Sequence, residues 1–313
     1  MLPILSVKNL KVYFSRGKKI IKAVDGVSFF IKQGETLGLA GESGSGKTVT
    51  ALSLTKLISE AKFLGGEVVF KQKDILKLTS PQLQKIRGKE IAYVFQNPVS
   101  SLNPVFRIGT QMVEIIRLHQ KKNKKEAKSY ALEMLERVGI PDAEKNFESY
   151  PHQLSGGMNQ RVMIAMALSS QPSLLIADEP TTNLDLTTQA QILELLQKIR
   201  REQDLSLLFI THNLEILKRL VDRLAIMYAA QIVEFGESLF TRPLHPYTQA
   251  LLSAQPGYEG RRQILKGEVP SPFDFPSGCR FHPRCPFKKA ICEKEEPPMQ
   301  EREKGHFVAC HLK

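Results

Sequence analysis

Apolar and polar residues roughly alternate from Leu5 to Val12 and again from Ala23 to Phe30. This period-two pattern belongs to strands with one face buried and one solvated, so the chain is expected to open with an antiparallel sheet. Later apolar runs differ: the piece within "GETLGLAG", the run Leu174 to Ala177 and "LSLLFITH" are short and nearly uninterrupted. That is the signature of strands buried on both faces of a parallel sheet. Between Gln96 and Ser155 the period lengthens. Met112, Ile115, Ile116 and Leu118, then Ala131, Leu132, Met134 and Leu135, recur at helical spacing, interrupted by lysines and the turn "GIPDAEK", and predict helices with a core-facing stripe. After "QIVEFG" the pattern stops. "PLHPYTQALLSA" predicts one short helix, and "EVPSPFDFPSGC" is a proline-rich connector unsuited to a central strand or helix interior.

With 42% hydrophobic residues over 313 positions, a sizeable core and more than one structural part are expected. The N-terminus "MLPILSVKNL" lacks a basic region followed by a long apolar run, and no stretch approaches the roughly 18 apolar residues of a membrane span. The expectation is a cytosolic chain, soluble or peripheral. A formal net charge of +12 suits nucleic acid, anionic lipid or an acidic protein and selects none of them. The "KKNKK" run at Lys121 to Lys125 reads as a solvated face. All four cysteines, Cys279, Cys285, Cys292 and Cys310, follow Gly278. In a reducing compartment such clustering points to a metal or cluster rather than to two disulfides. Their separations, C-x5-C-x6-C-x17-C, exceed the two to four residues typical of structural zinc knuckles and permit a larger cluster. The tail that holds them is short and polar, with little core of its own, so an occupant would supply stability. Zinc and free thiols stay open as alternatives.

The chemistry concentrates in a few places. Gly41-Glu-Ser-Gly-Ser-Gly-Lys-Thr48 fits G-x-x-x-x-G-K-[ST] between an apolar strand and a helical pattern. Gly41, Gly44 and Gly46 let the backbone approach phosphate oxygens, Lys47 reaches the terminal phosphates, and the Thr48 hydroxyl suits magnesium. Asp178 and Glu179 emerge together from the end of a buried strand, Asp178 suited to magnesium and Glu179 to a water attacking the terminal phosphate. His212 ends a third strand and is expected at the same sheet edge. In "LSGGMNQRVMIAMALSS", Ser155 can cap a helix while Gly156 and Gly157 leave its first amides open to an anion.

With these residues in place the chain resembles the ABC ATPase family. Gly41 to Thr48 is similar to the Walker A loop, Gln96 in "VFQNP" to the glutamine loop, and Leu154 to Gln160 to the signature. Asp178 and Glu179 resemble the Walker B pair, Leu184 and Asp185 the loop after it, and His212 the switch histidine. The resemblance implies an α/β fold: a P-loop NTPase core with an N-terminal antiparallel β subdomain, a helical subdomain at about 97–160, and a small Cys-rich C-terminal extension. The nucleotide-binding domain is expected over 1–240 and the extension over 241–313. It also implies roles. Glu179, His212 and Gln96 serve catalysis; Gly41, Ser43, Gly44, Ser45, Gly46, Lys47, Thr48 and Val49 bind ATP; Thr48, Gln96 and Asp178 hold Mg2+. Ser155, Gly156, Gly157 and Gln160 complete the site of a second ATPase subunit across a dimer, with Asp185 in dimer coupling. Phe14, before the "SRG" turn, is expected to stack on adenine, with Tyr13 as its rival, and His152 to pack at a helix entry.

"SLNPVFRIGTQMVE", "IADEPTT" and "PLHPYTQALLSAQP" narrow the resemblance to the D-type ATP-binding subunit of bacterial dipeptide and oligopeptide importers. This implies two membrane permeases contacted near Gln96 to Pro104, a related F-type ATPase chain as the second subunit, a solute-binding protein acting indirectly, no nucleic acid, and residence on the cytoplasmic face of the inner membrane. In such relatives the cysteine pattern followed by "ACH" resembles the four-thiolate ligand set of a [4Fe-4S] cluster. Two departures touch subunit coupling: Asn183 stands where alanine is usual and Asn213 where aspartate is common. An identical partner subunit, and nickel or another small-molecule cargo, fit the same ATPase text. DNA-acting ABC ATPases separate their motifs with long coiled coils, whereas only residues 49 to 153 lie between Thr48 and Leu154 here and hold no sustained heptads. Ribosome-acting relatives join two nucleotide modules, and this chain has one phosphate loop.

Overall fold

The computed structural model describes every residue except Met1, Asn183, Gly257, Glu259, Arg261 and Lys313, and of Val99 the backbone alone. The chain forms two compact units, Met1–Leu78 with Phe209–Lys313, and Thr79–Leu208.

In the first unit the expected antiparallel sheet is present. The strand Leu5–Arg16 lies between Lys19–Ile31 and Lys62–Phe70, with Val12 opposite Val24 on one side and Phe63 on the other. Leu5, Val7, Leu10 and Val12 are buried. The alternation slips at Asn9, whose φ is +47° and where the register shifts on both sides, as a bulge requires. Opposite it, a Cβ on Gly66 would lie 2.5 Å from the Asn9 carbonyl oxygen, which restricts that position to glycine.

A second sheet in this unit holds the fully buried strand Thr36–Ala40, parallel to Arg223–Tyr228. Gln231–Gly236 follows antiparallel, then His306–Val308, then Gln300–Glu303 at the edge. The C-terminal extension is therefore part of the sheet. It also has more core than its composition suggests: Phe281, His306 and Val308 are buried, and Phe281 packs against Tyr228, Tyr247 and His245 with ring centroids 5.2 to 5.5 Å apart. Part of this core comes from Tyr228, which lies outside the extension.

Two buried polar clusters fix the layers. The Arg223 guanidinium pairs with Glu35 and lies 4.1 Å from the Phe30 ring centre and 4.7 Å from that of Phe235; removing one member of such a pair costs about 3–5 kcal/mol. Glu234, fully buried, accepts hydrogen bonds from the amides of Leu244 (2.6 Å) and His245 (3.0 Å) and lies 2.7 Å from His306 Nε2. His245 Nδ1 accepts from the Tyr247 amide (3.0 Å) and caps the helix Pro246–Ser253. Burial holds this imidazole neutral, its pKa pushed down to about 4, and only the neutral ring has an acceptor to offer.

In the second unit Ile91–Val94 runs parallel to Leu174–Asp178, with Val94 opposite Ala177. Helices Ile108–Gln120, Lys124–Arg137, Gly156–Leu168 and Leu186–Gln203 accompany them. Met112, Ile116, Ala131, Met134 and Leu135 are buried as the spacing predicts, whereas Leu118 is 73% exposed. It lines a groove of about 1000 Å³ with Val113, Arg117 and Phe147. The lysine run is a helix junction: Asn123 Oδ1 accepts from the Glu126 amide (3.0 Å), and Glu126 Oε2 accepts from the Asn123 amide (2.9 Å). That reciprocal cap starts the next helix and leaves the charges of Lys121, Lys124 and Lys125 exposed. Among the described residues no helix is long and apolar enough to cross a membrane.

Candidate functional site

In the first unit the strand Thr36–Ala40 delivers the loop Gly41 to Thr48 to the helix Lys47–Ser53. Its geometry demands glycine at two points. A Cβ on Gly41 would lie 2.1 Å from the Met227 carbonyl oxygen, and one on Gly46, at φ +104°, would lie 2.3 Å from that of Ala23. Gly44, at φ +77°, faces open space instead. Ser45 Oγ is buried without a hydrogen-bond partner, a cost that a phosphate oxygen accepting from it would offset. Lys47 is buried, its Nζ donating to the carbonyls of Gly41 (2.8 Å) and Glu42 (3.0 Å), so its charge is held over the loop. Ser43 and Thr48 are exposed and Val49 is half-buried. The loop therefore fits an anion.

His212 follows the strand Ser206–Ile210 and is exposed; the Thr211 amide before it donates to the Leu39 carbonyl (3.3 Å). Asn213 has a local task. Its Oδ1 accepts from the amides of Glu215 (3.0 Å) and Ile216 (3.4 Å), which caps the helix Leu214–Leu220, a role asparagine fills as well as aspartate. Phe14 is a half-buried ring near the end of its strand, paired with Ile21. Tyr13 is committed elsewhere: its hydroxyl donates to Asp25 (2.6 Å), and burial followed by that bond pushes its pKa up to about 12.

In the second unit Asp178 ends a strand in which every residue is buried. Glu179 is half-buried and adopts φ +47°, a left-handed conformation that costs a non-glycine residue about 1–2 kcal/mol. It is held there by Gln96 Nε2 and Thr182 Oγ1, each donating to Glu179 Oε2 at 3.0 Å, while the Thr182 amide donates to the Glu179 carbonyl (3.2 Å). Gln96 and Glu179, 83 positions apart, thus meet as side chains. Ser155 caps the helix Gly156–Leu168, its Oγ accepting from the Met158 amide at 3.2 Å. Ser155 and Gly156 are exposed, and Gly156 borders open space. Gln160, by contrast, is 2% exposed. Asp185 caps the helix Leu186–Gln203 through Thr188 (2.9 Å to its amide, 2.6 Å to its hydroxyl), and these bonds hold its carboxyl below the usual range. Leu184 is half-buried, and Asn183 lies outside the described residues. His152 is exposed and stacks on Tyr150 with centroids 5.6 Å apart.

None of the four cysteines is joined in a disulfide. Cys292 is buried, the others are half-buried, and the Cys279 amide donates to the Cys292 carbonyl (2.8 Å). Burial, and then negative charge at Cys292, Cys310 and Cys285, pushes the Cys279 thiol up to about 11; burial, and then Cys310 and Cys292, raise Cys285. Among the described residues no three or more His, Cys, Asp or Glu side chains stand close enough to hold a single metal ion.

Sequence reasoning missed the residues that reach the phosphate loop from the extension. Glu42 accepts from Arg284 Nη1 (2.9 Å) and Nη2 (3.2 Å), and its amide donates to Tyr247 Oη (2.9 Å). Arg280 pairs with Asp25, donates to the Ala229 carbonyl (2.6 Å) and lies 4.1 Å from the Phe275 ring centre. No sequence pattern links positions 242 apart.

Residues 24–182 match the model of the ABC transporter family, and residues 233–292 match that of the oligopeptide/dipeptide transporter C-terminal region. The chain is 47% identical to the oligopeptide transport ATP-binding protein AppD of Bacillus subtilis, covering 100% of this chain and 97% of that one. It is 42% identical to the dipeptide transport ATP-binding protein DppD of Escherichia coli, covering 98% and 96%. Among solved structures it is similar to the ATP-binding cassette MJ0796, a dimer in a post-hydrolysis state bound to ADP and Pi, with a TM-score of 0.67 and 29% identity over 74% of this chain and 98% of that one. A phosphate loop built on obligatory glycines, a Gln96–Glu179 pair at a strand end and relatives matched from end to end lead to one assignment: the chain belongs to the ABC transporter family, as a homologue of the ATP-binding proteins of dipeptide and oligopeptide importers.

Proposed function

We propose that this chain binds and hydrolyses ATP to drive the import of dipeptides or oligopeptides through a membrane transporter. What carries the reading is the extent of the likeness to peptide-importer subunits, which includes the C-terminal region at residues 233–292. The loop amides and Lys47 bind the phosphates. Glu179, aimed by Gln96 and Thr182, takes the proton from the attacking water, and His212 supports the terminal phosphate. Thr48, Gln96 and Asp178 are the residues that would hold magnesium, which would supply positive charge to the phosphates. Phe14 stacks on adenine, the Tyr13 hydroxyl being already engaged by Asp25.

The remaining assignments concern partners. Two permeases receive the surface from Gln96 to Pro104, a solute-binding protein delivers cargo to them, and a second ATPase subunit, an F-type relative, shares the nucleotide sites. Ser155, Gly156 and Gly157 serve that subunit's ATP, and Asp185 transmits between the two; the exposure of Ser155 and Gly156 in the single chain supports this. Neither Asn183 nor Asn213 removes a catalytic group. The chain accordingly works at the cytoplasmic face of the membrane. The four thiols hold a [4Fe-4S] cluster with a structural role, a reading supported by their C-x5-C-x6-C-x17-C spacing.

Two experiments test this reading. Ser155→Arg is expected to leave MgATP binding to the isolated chain intact and to abolish transport-coupled hydrolysis in the assembled transporter. Equal loss of binding in the isolated chain would refute the assignment across the dimer. Protein purified without oxygen is expected to contain about four irons per chain with matching acid-labile sulfide; stoichiometric zinc without iron refutes the cluster.

A further inference from the structure

We infer that the C-terminal extension braces the phosphate loop, and that Arg284 is a positioning residue for ATP, acting through Glu42. Glu42 is the second residue of the loop and brings a carboxylate to a place built to receive polyphosphate. Left alone, that charge opposes the ligand. The structure restrains it from three sides. Arg284 holds the carboxylate in a two-pronged ion pair at 2.9 and 3.2 Å, with the arginine side chain 8% and the glutamate side chain 27% exposed. Tyr247 Oη accepts from the Glu42 amide at 2.9 Å, and Lys47 Nζ donates to the Glu42 carbonyl at 3.0 Å. Both Arg284 and Tyr247 come from residues beyond Gly236, and both sit on the same aromatic core: Tyr228 and Tyr247 rings are 4.6 Å apart, and the Arg284 guanidinium lies 5.7 Å from the Tyr228 ring centre.

The brace is anchored on both sides of its own loop. Arg284 immediately precedes Cys285, and Arg280 immediately follows Cys279. Arg280 is buried, pairs with Asp25 and donates to the Ala229 carbonyl. The next residue, Ala230, donates its amide to the Ser45 carbonyl (2.9 Å) and accepts from the Asp25 amide (2.8 Å). One segment of six residues, 279 to 284, therefore fixes the phosphate loop at Glu42 directly and at Ser45 through one intermediate. The extension is a working part of the nucleotide site, not an appendage.

A double-substitution cycle on the full chain, read as the calorimetric Kd for MgATP beside the thermal midpoint, separates positioning from stability. Arg284→Ala is expected to weaken MgATP binding about tenfold, the size of one lost charge-assisted contact. Replacing Glu42 by Gln in the same chain removes the stranded charge and is expected to recover most of that loss. Arg284→Lys, which keeps the charge but not the fork, should fall between wild type and Arg284→Ala. Arg284→Gln carries the same test where Arg284→Ala does not fold. Wild-type affinity in a folded Arg284→Ala or Arg284→Gln chain overturns the inference. So does a loss that Glu42→Gln leaves unchanged, because the arginine would then not act through Glu42.

Discussion

Glu179→Gln is expected to bind MgATP and to hydrolyse it at least about a hundredfold more slowly, the range for losing a general base. Glutamine matches glutamate in size, and its carbonyl oxygen still accepts from Gln96 Nε2 and Thr182 Oγ1, which both address the same glutamate oxygen. The left-handed backbone at φ +47° is also kept, since the cost of that conformation lies in Cβ and not in the side-chain terminus. What disappears is the capacity to take a proton. Steady-state phosphate release from the assembled transporter, with MgATP affinity measured in parallel, checks this. Turnover near wild type removes Glu179 from the reaction.

Lys47→Ala is expected to weaken MgATP binding itself, by at least about tenfold, because an ammonium facing phosphate contributes roughly 1.5–3 kcal/mol. The substitution also strands the Gly41 and Glu42 carbonyls that Lys47 Nζ now satisfies at 2.8 and 3.0 Å. Some loss of thermal stability should accompany the loss of affinity, and calorimetry and a melting curve on the same sample separate the two. Unchanged affinity contradicts the reading of the loop.

Much of the nucleotide chemistry was readable from the residues because it resides in short contiguous stretches. A glycine whose Cβ would lie 2.1 Å from a carbonyl oxygen and a lysine six residues later are one local pattern, and so is a serine capping a helix just ahead of two glycines. Buried strands such as Leu174–Asp178 announce themselves by unbroken apolarity. Where side-chain faces alternate, the message weakens: the bulge at Asn9 breaks the period of Leu5–Arg16, and Lys62–Phe70, with two glycines inside it, gives almost no strand signal. Leu118 fits the helical stripe yet faces a groove, since spacing places a residue on a face without saying what covers that face. The extension was the least readable part. Its core is shared with Tyr228, and its ion pairs, Arg284 to Glu42 in the loop and Arg280 to Asp25, join residues more than 240 positions apart.

The most direct measurement is uptake of a labelled dipeptide or oligopeptide into vesicles containing the assembled transporter, with MgATP on the side of this chain and the solute-binding protein on the other. Accumulation is expected with the wild-type chain and MgATP, and is expected to vanish when Glu179→Gln replaces it. Uptake that persists at the wild-type rate with Glu179→Gln, or ATP hydrolysis that never moves peptide, contradicts the assignment of this chain as the ATPase that powers import.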